Sequence, residues 1–588
     1  MQTIDDLGEY TVPTLFANSV AKFTNRPALA LAGGEPITYA EMGARVEEVR
    51  NQLWRLGARK GDKIGVFGIS SPNWGIAYFA LSSIGAIAVP LLPDFSAKEA
   101  ETCLSHAGTS FLFVTSRLSE KVKNPAALGI RGVISLDDFS VRAGTLAETG
   151  AAPVIRVEEG DTASIIYTSG TTGRSKGVEL SHKNIVFTAI GGQFFQRINK
   201  FDVGLSILPM SHVYEFTIGF MMFMLNGACV HYLEKPPTVT TLLPALLKVR
   251  PTIMLSVPLI MEKIYKNKIV PTFTARESIA KLYAKPFFRR IFHRIAGLSL
   301  KKTFGGRLKF FGIGGAKVDP VVERFMKEAR FPYAIGYGLT ETAPLLAGAG
   351  PNRTFIGGVG KFMPGVEGKL LDPDPVTGVG ELVVKGPNVM KGYYGEPEMT
   401  AGVFTQDGWF RTGDLGMLDA KGRLSLKGRS KNMILNAAGE NIYPEDIEFV
   451  INQHPFVVES LVVEGENSSL VAYVQIDGDK VAAESKKREA AGGKPLTVQA
   501  VQEMAGQHIQ AMTEAVSDAV GGAVSGAAQM MQYKKEELVN EIRFFVNDKV
   551  NRISRIDRIE FIEQFEKTAS QKIKRYIYSI TKHAHHNS

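Results

Sequence analysis

The stretch that most constrains this chain is Tyr167–His182, Y-T-S-G-T-T-G-R-S-K-G-V-E-L-S-H. An apolar run, Ala163 to Tyr167, has strand character and leads straight into it. Hydroxyls and glycines follow, and then one lysine, Lys176. Glycines let a backbone approach an anion closely and turn its N–H groups inward. The hydroxyls of Thr168, Ser169, Thr171 and Thr172 add donors around Gly170 and Gly173, and Lys176 supplies a full positive charge for phosphate oxygens. A Ser/Gly/Thr linker would share the composition, but linkers rarely follow an apolar strand directly and rarely carry one placed cation. The stretch therefore reads as a phosphate-binding loop. It is not a Walker loop, which needs G-x-x-x-x-G-K-[ST] opening into a helix. Here Val178–Leu180 reads as a second short strand, and a helix begins only after it, capped by Ser181.

At 588 residues the chain exceeds one compact core, so two or more domains are expected. With 45% hydrophobic and 22% charged residues it is an ordinary globular composition, neither disordered nor disulfide-built. Cys103 and Cys229 make no disulfide framework and lack metal-ligand spacing. Met1–Asp6 is acidic and lacks an apolar core, so no secretory signal and a cytoplasmic location are expected. A net charge of +9 suits an anionic partner, small molecule or membrane surface. Phe216 to Leu233 is uncharged, but its Asn226, Gly227 and His231 favour a buried helix feeding a buried strand over a membrane span.

Near the N-terminus, Thr38–Glu41 is a capping box before a helix stopped by Gly57. Lys63–Gly68, Trp74–Ile84 and Ala86–Leu91 then form a βαβ unit, which predicts an α/β domain with a largely parallel sheet. Further on, His212 follows a strand and turn and reads as a ligand, a base or a satisfied core residue. Phe310–Ala316 is strand then glycine turn, carrying Gly314, Gly315 and Ala316. In Ile335–Pro344 an aromatic, a hydroxyl and a carboxylate share one turn: Tyr337 can stack on a purine, Thr340 can bond a phosphate oxygen, and Glu341 can hold Mg²⁺. In Trp409–Gly416, Asp414 is placed after a turn and suits two ribose hydroxyls. Arg276 to Lys309 is basic and aromatic-bearing, either a solvated helix face or a surface for anionic lipid; no recognition motif for nucleic acid accompanies it. Between Asp477 and Gln532 the texture turns to Ala, Gly, Lys, Glu and Gln, an apparent insertion without chemistry.

The four motifs, in this order, resemble those of the adenylate-forming (AMP-binding) superfamily, and the whole chain outside about 477–532 looks most like its long-chain fatty acyl-CoA synthetases. Two positions depart from the pattern: Ser175 stands where the family usually has Pro, and Gln571 where it usually has Gly. The resemblance implies an α/β fold, a large multi-layer N-terminal domain over 1–429 and a small mobile α+β C-terminal domain over 430–588. It implies ATP, Mg²⁺ and CoA, with activation of a fatty acid to an acyl-adenylate and transfer to the CoA thiol. By the same resemblance Lys176, Thr340, Glu341 and Lys572 are catalytic, and His212 and Gly314 lie at the acyl pocket. Gly315, Ala316, Tyr337, Asp414 and Arg429 contact the nucleotide, Gly439 borders the thiol channel, and Lys431 is the hinge. Transfer to a carrier-protein phosphopantetheine, an adenylate-only ligase and an inactive lipid-binding protein are the rival expectations. Peripheral contact at the inner face of an anionic membrane is expected, and a nucleic-acid partner is not.

Overall fold

The computed structural model describes residues 7–146, 150–168, 175–435, 441–465, 469–490, 525–568 and 573–578. Two compact units result. The first holds the described residues up to Thr168, 175–412 and 417–426; the second holds 413–416 and the described residues from Lys427 on.

Two large sheets organise the first unit. One runs, in spatial order, Gly392–Tyr393, Lys176–Ser181, Thr162–Thr168, Ile87–Leu91, Lys63–Phe67, Phe111–Val114, Gly132–Ser135 and Val141–Ala143. Its centre is parallel, as the βαβ reading of residues 63–91 predicts. The connecting helix Pro72–Ser83 is apolar on every side and is buried from Trp74 to Ser82, as a helix inside the core must be. The other sheet runs Lys361–Phe362, Leu345–Ala349, Tyr333–Gly338, Phe310–Ile313, Ile253–Ser256, Val203–Ser206, Cys229–Tyr232, Pro27–Leu31 and Ile37–Thr38. The strands Ile253–Ser256, Phe310–Ile313 and Tyr333–Gly338 are parallel neighbours, so their C-terminal ends, where the glycine motifs follow, share one edge.

Local signals settle the helix starts. Thr38 and Glu41 form a reciprocal capping box ahead of Tyr39–Arg55, and Ser181 and Asn184 do the same ahead of His182–Gly191. The uncharged stretch 216–233 resolves into a buried π-helical segment Glu215–Met221, a helix Met222–Leu225 and the strand Cys229–Tyr232. No helix among the described residues is long and apolar enough to cross a membrane.

The second unit is α+β. Val457–Glu464 pairs antiparallel with Leu470–Ile476, which pairs parallel with Arg558–Ile562. Pro444–Ile451, Gly478–Ala490 and Ser525–Asn547 are its helices. Ile447, Ile451, Val474, Val481, Leu538 and Ile542 share one core cluster. The start of the aromatic-free stretch is thus a packed helix, tied to its neighbour by Arg488 Nη2 at 3.2 Å from Glu541 Oε1. Pro444 occupies the first turn of its helix with Glu445 and Asp446 beside it, the arrangement that suits the positive end of a helix dipole.

One buried acid sits in the core of the first unit. Glu215 is 2% exposed, and its Oε2 has no hydrogen-bond partner among the described residues. Gly219, one turn on, makes room for it: a Cβ there would stand 2.7 Å from Glu215 Oε1. Burial pushes its carboxyl from the ordinary 4.5 up to about 8. The folded state therefore keeps a proton that the unfolded state loses near pH 4.5, and stability falls as pH rises from there towards 8. Glu215→Gln removes this dependence, on the order of a few kcal/mol across the window. Thermal unfolding should show the advantage of the variant over the unsubstituted chain growing between about pH 5 and pH 8; an advantage independent of pH would contradict the assignment.

Candidate functional site

The phosphate-loop hairpin is closed at its base by the pairing of Thr168 with Lys176. Ser169, Gly170, Thr171, Thr172 and Gly173 lie outside the described residues. Tyr167, just before Thr168, is fixed by a 2.7 Å hydrogen bond between its hydroxyl and His106 Nδ1.

Lys176 begins the strand Lys176–Ser181, and the short strand Gly392–Tyr393 adds to that strand's free edge. Tyr394 N donates to Gly177 O at 2.8 Å, which holds the register. This pairing sets the Tyr393 ring beneath Lys176, whose Nζ is 5.0 Å from the ring centroid. The Tyr393 hydroxyl donates to Glu341 Oε1 at 2.9 Å. One side chain thus links the cation of the first motif to the carboxylate of the third.

Glu341 lies on the short 3₁₀ turn Thr340–Thr342 that follows the strand Tyr333–Gly338. Its position is fixed from several directions. Met390 N donates to Glu341 O at 2.8 Å, Thr342 Oγ1 donates to Pro344 O at 2.6 Å, and Asn388 Nδ2 donates to both Thr342 O and Leu345 O. Thr340 is part-exposed beside it. Tyr337 is 9% exposed, packed with the main core.

A small apolar cleft lies against the strands that carry these motifs. Ile218, Met222, Ile253, Leu255, Phe310 and Leu345 are among its walls, and Gln196 and Tyr214 supply its polar side chains. The Tyr214 ring lies so close to the strand Phe310–Ile313 that a Cβ at 312 would stand 3.0 Å from its hydroxyl, and one at 314 would stand 3.2 Å from the ring. Glycine at both positions lets the ring approach this closely. Gly315, at φ +87°, turns the chain, and Gly315 and Ala316 are exposed. His212 is half-buried in the turn two residues ahead of Tyr214, its N–H bonded to Pro209 O and its carbonyl accepting from Phe216 N.

In the second unit Asp414 lies on the strand Phe410–Leu418, not in a turn. Side chains alternate inward and outward before it, Phe410 and Thr412 buried and Arg411 exposed, and this alternation outweighs the two glycines that suggested a turn. Arg429, on the strand Leu424–Arg429, pairs with Asp414 through Nε and Oδ1 at 2.9 Å. Lys431 is exposed on the turn Ser430–Asn432, which is tied by Ser430 Oγ to Gly413 O at 3.2 Å and by Asn432 Nδ2 to Glu445 Oε1 at 2.6 Å. Gly439, Gln571 and Lys572 lie outside the described residues. The lysines near Lys572 are engaged: Lys567 with Glu459 at 2.6 Å and Lys574 with Glu566 at 3.7 Å. Arg575 is anchored on part-buried Glu448 at 2.6 Å.

Reasoning from motifs alone passed over Tyr393 and Tyr214. The signal for Tyr393 was K-G-Y-Y-G at 391–395, two aromatics in a glycine-flanked strand, which reads as core until its partners are known.

The sequence profile of the family described as AMP-binding enzyme matches residues 16–394. The peroxisomal long chain acyl-CoA synthetase 6 of Arabidopsis thaliana is 30% identical over 499 residues, covering 78% of this chain and 71% of that protein. The long-chain-fatty-acid–CoA ligase FadD15 of Mycobacterium bovis is 30% identical over 479 residues, covering 75% and 77%. Among solved structures, the o-succinylbenzoate CoA synthetase of Bacillus subtilis in complex with ATP and magnesium ion shares the fold, with a TM-score of 0.71 at 22% identity over 96% of this chain and 98% of that one.

The Tyr393 junction is testable. Glu341→Gln should slow the expected adenylation on the order of 10²-fold. Tyr393→Phe, which removes one hydrogen bond to a carboxylate, should slow it roughly tenfold. Pyrophosphate release measured on both variants checks the order; a Tyr393→Phe chain as fast as the unsubstituted one would take the tyrosine out of the site.

Proposed function

The chain belongs to the AMP-binding enzyme family, and on that premise we propose that it is a long-chain fatty acid–CoA ligase working through an acyl-adenylate. A fatty carboxylate oxygen bonds to the α-phosphorus of ATP and pyrophosphate leaves. The CoA thiol then bonds to the acyl carbonyl carbon, and AMP leaves with the bonding electrons of the mixed anhydride.

The observation that carries the reading is the apolar lining of the cleft. Gln196 and Tyr214 are its polar side chains, so its walls offer an acyl tail almost nothing polar. Gly312 and Gly336 in those walls run on directly into Gly314–Ala316 and Thr340–Glu341. Ligands of open α/β sheets bind at such C-terminal strand ends. An amino-acid substrate fits less well, because Glu215, which follows the cleft residue Tyr214, is held protonated by burial and offers an ammonium no charge.

The reaction brings two anions together and gathers negative charge at phosphorus, so fixed cations and N–H donors do most of the work. Lys176 and the loop before it hold the departing pyrophosphate. Glu341, steadied by Tyr393 and with Thr340 beside it, would be the protein ligand of Mg²⁺, which when bound would supply charge neutralisation on the phosphates. Among the described residues no cluster of three His, Cys, Asp or Glu side chains could cage a metal, in keeping with an ion that takes most of its ligands from phosphate and water. Asp414, steadied by Arg429, accepts the ribose hydroxyls. Tyr337 borders the purine, and His212 and Gly314 border the carboxylate end of the acyl pocket. Lys572 holds the α-phosphate and the carboxylate, Gly439 borders the thiol path, and Lys431 is the hinge on which the 430–588 domain turns between steps. No protein nucleophile is required. The proposal includes action from the cytoplasm, with peripheral contact at an anionic membrane surface where the fatty acid dissolves. A carrier-bound phosphopantetheine is the alternative acceptor, since it presents the same thiol.

A pyrophosphate-release screen over carboxylic acids of graded chain length, with an aryl acid included, tests the reading. Release should be greatest with long-chain acids, and mass spectrometry should find the thioester only when CoA is present. Release confined to short or aryl acids would overturn the substrate assignment. Lys572→Ala should abolish adenylate formation and leave thioester formation from supplied acyl-adenylate nearly intact; equal slowing of both half-reactions would remove the lysine from the first step.

A further inference from the structure

The basic stretch at 276–309 resolves into the helices Glu277–Tyr283 and Pro286–Thr303. The longer helix turns only part of its apolar surface inward. Its inner face is His293, Ala296, Gly297 and Leu300, and a Cβ at 297 would overlap the Ala329 carbonyl. Phe287, Ile291, Ile295 and Leu298, at helical spacing along one stripe, face outward, with Phe287 69% and Leu298 71% exposed. Arg290, Arg294 and Lys301 follow one edge of that stripe.

A polar clamp sets this rotation. His293, 1% exposed, bonds Glu328 Oε2 through Nδ1 at 2.7 Å and the Tyr283 hydroxyl through Nε2 at 2.7 Å. Arg289, one turn earlier, pairs with Glu328 Oε1 at 2.9 Å. Arg289 is therefore committed inward, whereas the neighbouring Arg290, whose Nε reaches Glu328 Oε1 only at 3.9 Å, keeps its side chain 67% exposed.

A second helix, Val239–Val249, repeats the pattern. Val239, Leu243 and Leu247 stand at i, i+4 and i+8 and are all exposed, Val239 at 73%. The two helices lead into the adjacent parallel strands Ile253–Ser256 and Phe310–Ile313, and their C-terminal ends meet where Arg250 Nε donates to Gly305 O at 3.0 Å. They cover neighbouring strands from the same side, so their outward stripes belong to one face. From residue 239 to 302 the chain carries thirteen Lys and Arg against two Glu, a net +11 in a protein whose total is +9. The positive charge of the whole molecule is concentrated on the segment that shows this apolar surface.

We propose that the outer faces of Val239–Val249 and Pro286–Thr303 form a docking surface for an anionic lipid membrane. The apolar stripes enter the boundary between headgroups and acyl chains, and Arg290, Arg294 and the neighbouring lysines meet lipid phosphates. A second copy of the chain fits poorly, because face-to-face pairing would bring these cations together. Nucleic acid fits poorly, because isoleucine and leucine between the cations give it nothing to bond. The surface stands apart from the acyl-activation reading; only its use in collecting a fatty substrate rests on that reading. The strands beneath the two helices line the cleft with their opposite face, through Ile253, Leu255 and Phe310.

Co-sedimentation of the full chain with phosphatidylcholine vesicles, with and without phosphatidylglycerol, tests the proposal. Binding should require the anionic lipid and weaken with salt. Arg290→Ser with Arg294→Ser should weaken it roughly 30-fold, and Arg289→Ser should alter folding more than binding. Phe287→Ser with Ile295→Ser and Leu298→Ser should weaken binding on the order of tenfold or more. A Leu298→Cys chain carrying an environment-sensitive fluorophore gives a readout independent of affinity, since Cys103 and Cys229 are buried. Its emission should shift to the blue on adding anionic vesicles. Equal sedimentation with both vesicle types, an unshifted label, or a shift produced by dimerisation or by duplex DNA without lipid would each overturn the proposal. A chain that docks yet releases no pyrophosphate with any acid sustains the surface and overturns the acyl-activation reading.

Discussion

The charged site depends on one edge-strand addition. Gly392–Tyr393 pairs with Lys176–Ser181, and that register is what brings a lysine, a tyrosine and a glutamate from three distant segments to one place. Backbone ladders are rigid, so the Tyr393 ring and hydroxyl arrive in a fixed position, one serving Lys176 and the other Glu341. Lys176 and Glu341, the side chains proposed to meet a polyanion and its metal ion, are thereby pre-set at a distance from each other, with little left to reorganise when charge develops.

Beside this polar junction lies the opposite chemistry. The strands Ile253–Ser256 and Phe310–Ile313 give one side to the apolar cleft, their C-terminal ends to the glycine turns, and cover from the two outward-striped helices on the other side. The division is sharp because close packing enforces it: the Tyr214 ring lies against Gly312 and Gly314, where an added Cβ would crowd it at 3.0 and 3.2 Å. A substrate with one anionic end and a long apolar tail matches such a boundary, where a wholly polar or wholly apolar ligand does not.

Much of this was legible in the sequence, for identifiable reasons. Capping boxes at Thr38 and Ser181, the apolar run at 63–91 and the glycine turns after strands are local signals, and local chemistry decides them. The α/β class and the two strands that flank the loop followed from the same kind of reasoning, whereas the pairing of Lys176 with Thr168 across it is seen only in the structure. What was hidden depends on partners far along the chain. Tyr393 looks like core until Glu341 is beside it. Asp414 looks like a turn residue until Arg429 on the next strand claims it. The helix Pro286–Thr303 is visibly amphipathic, yet which side faces in is decided by Glu328, on a different helix, pulling Arg289 and His293 toward the fold. Periodicity gives the stripe and not its direction.

The central claim is that the carboxylate itself attacks phosphorus, so that one of its oxygens must end in AMP. A long-chain fatty acid labelled with oxygen-18 in both carboxyl positions, turned over with ATP, Mg²⁺ and CoA, tests this directly by mass spectrometry of the products. The account predicts one labelled oxygen in AMP, one in the thioester carbonyl and none in pyrophosphate. Unlabelled AMP alongside labelled thioester, or label in a released phosphate, would contradict it.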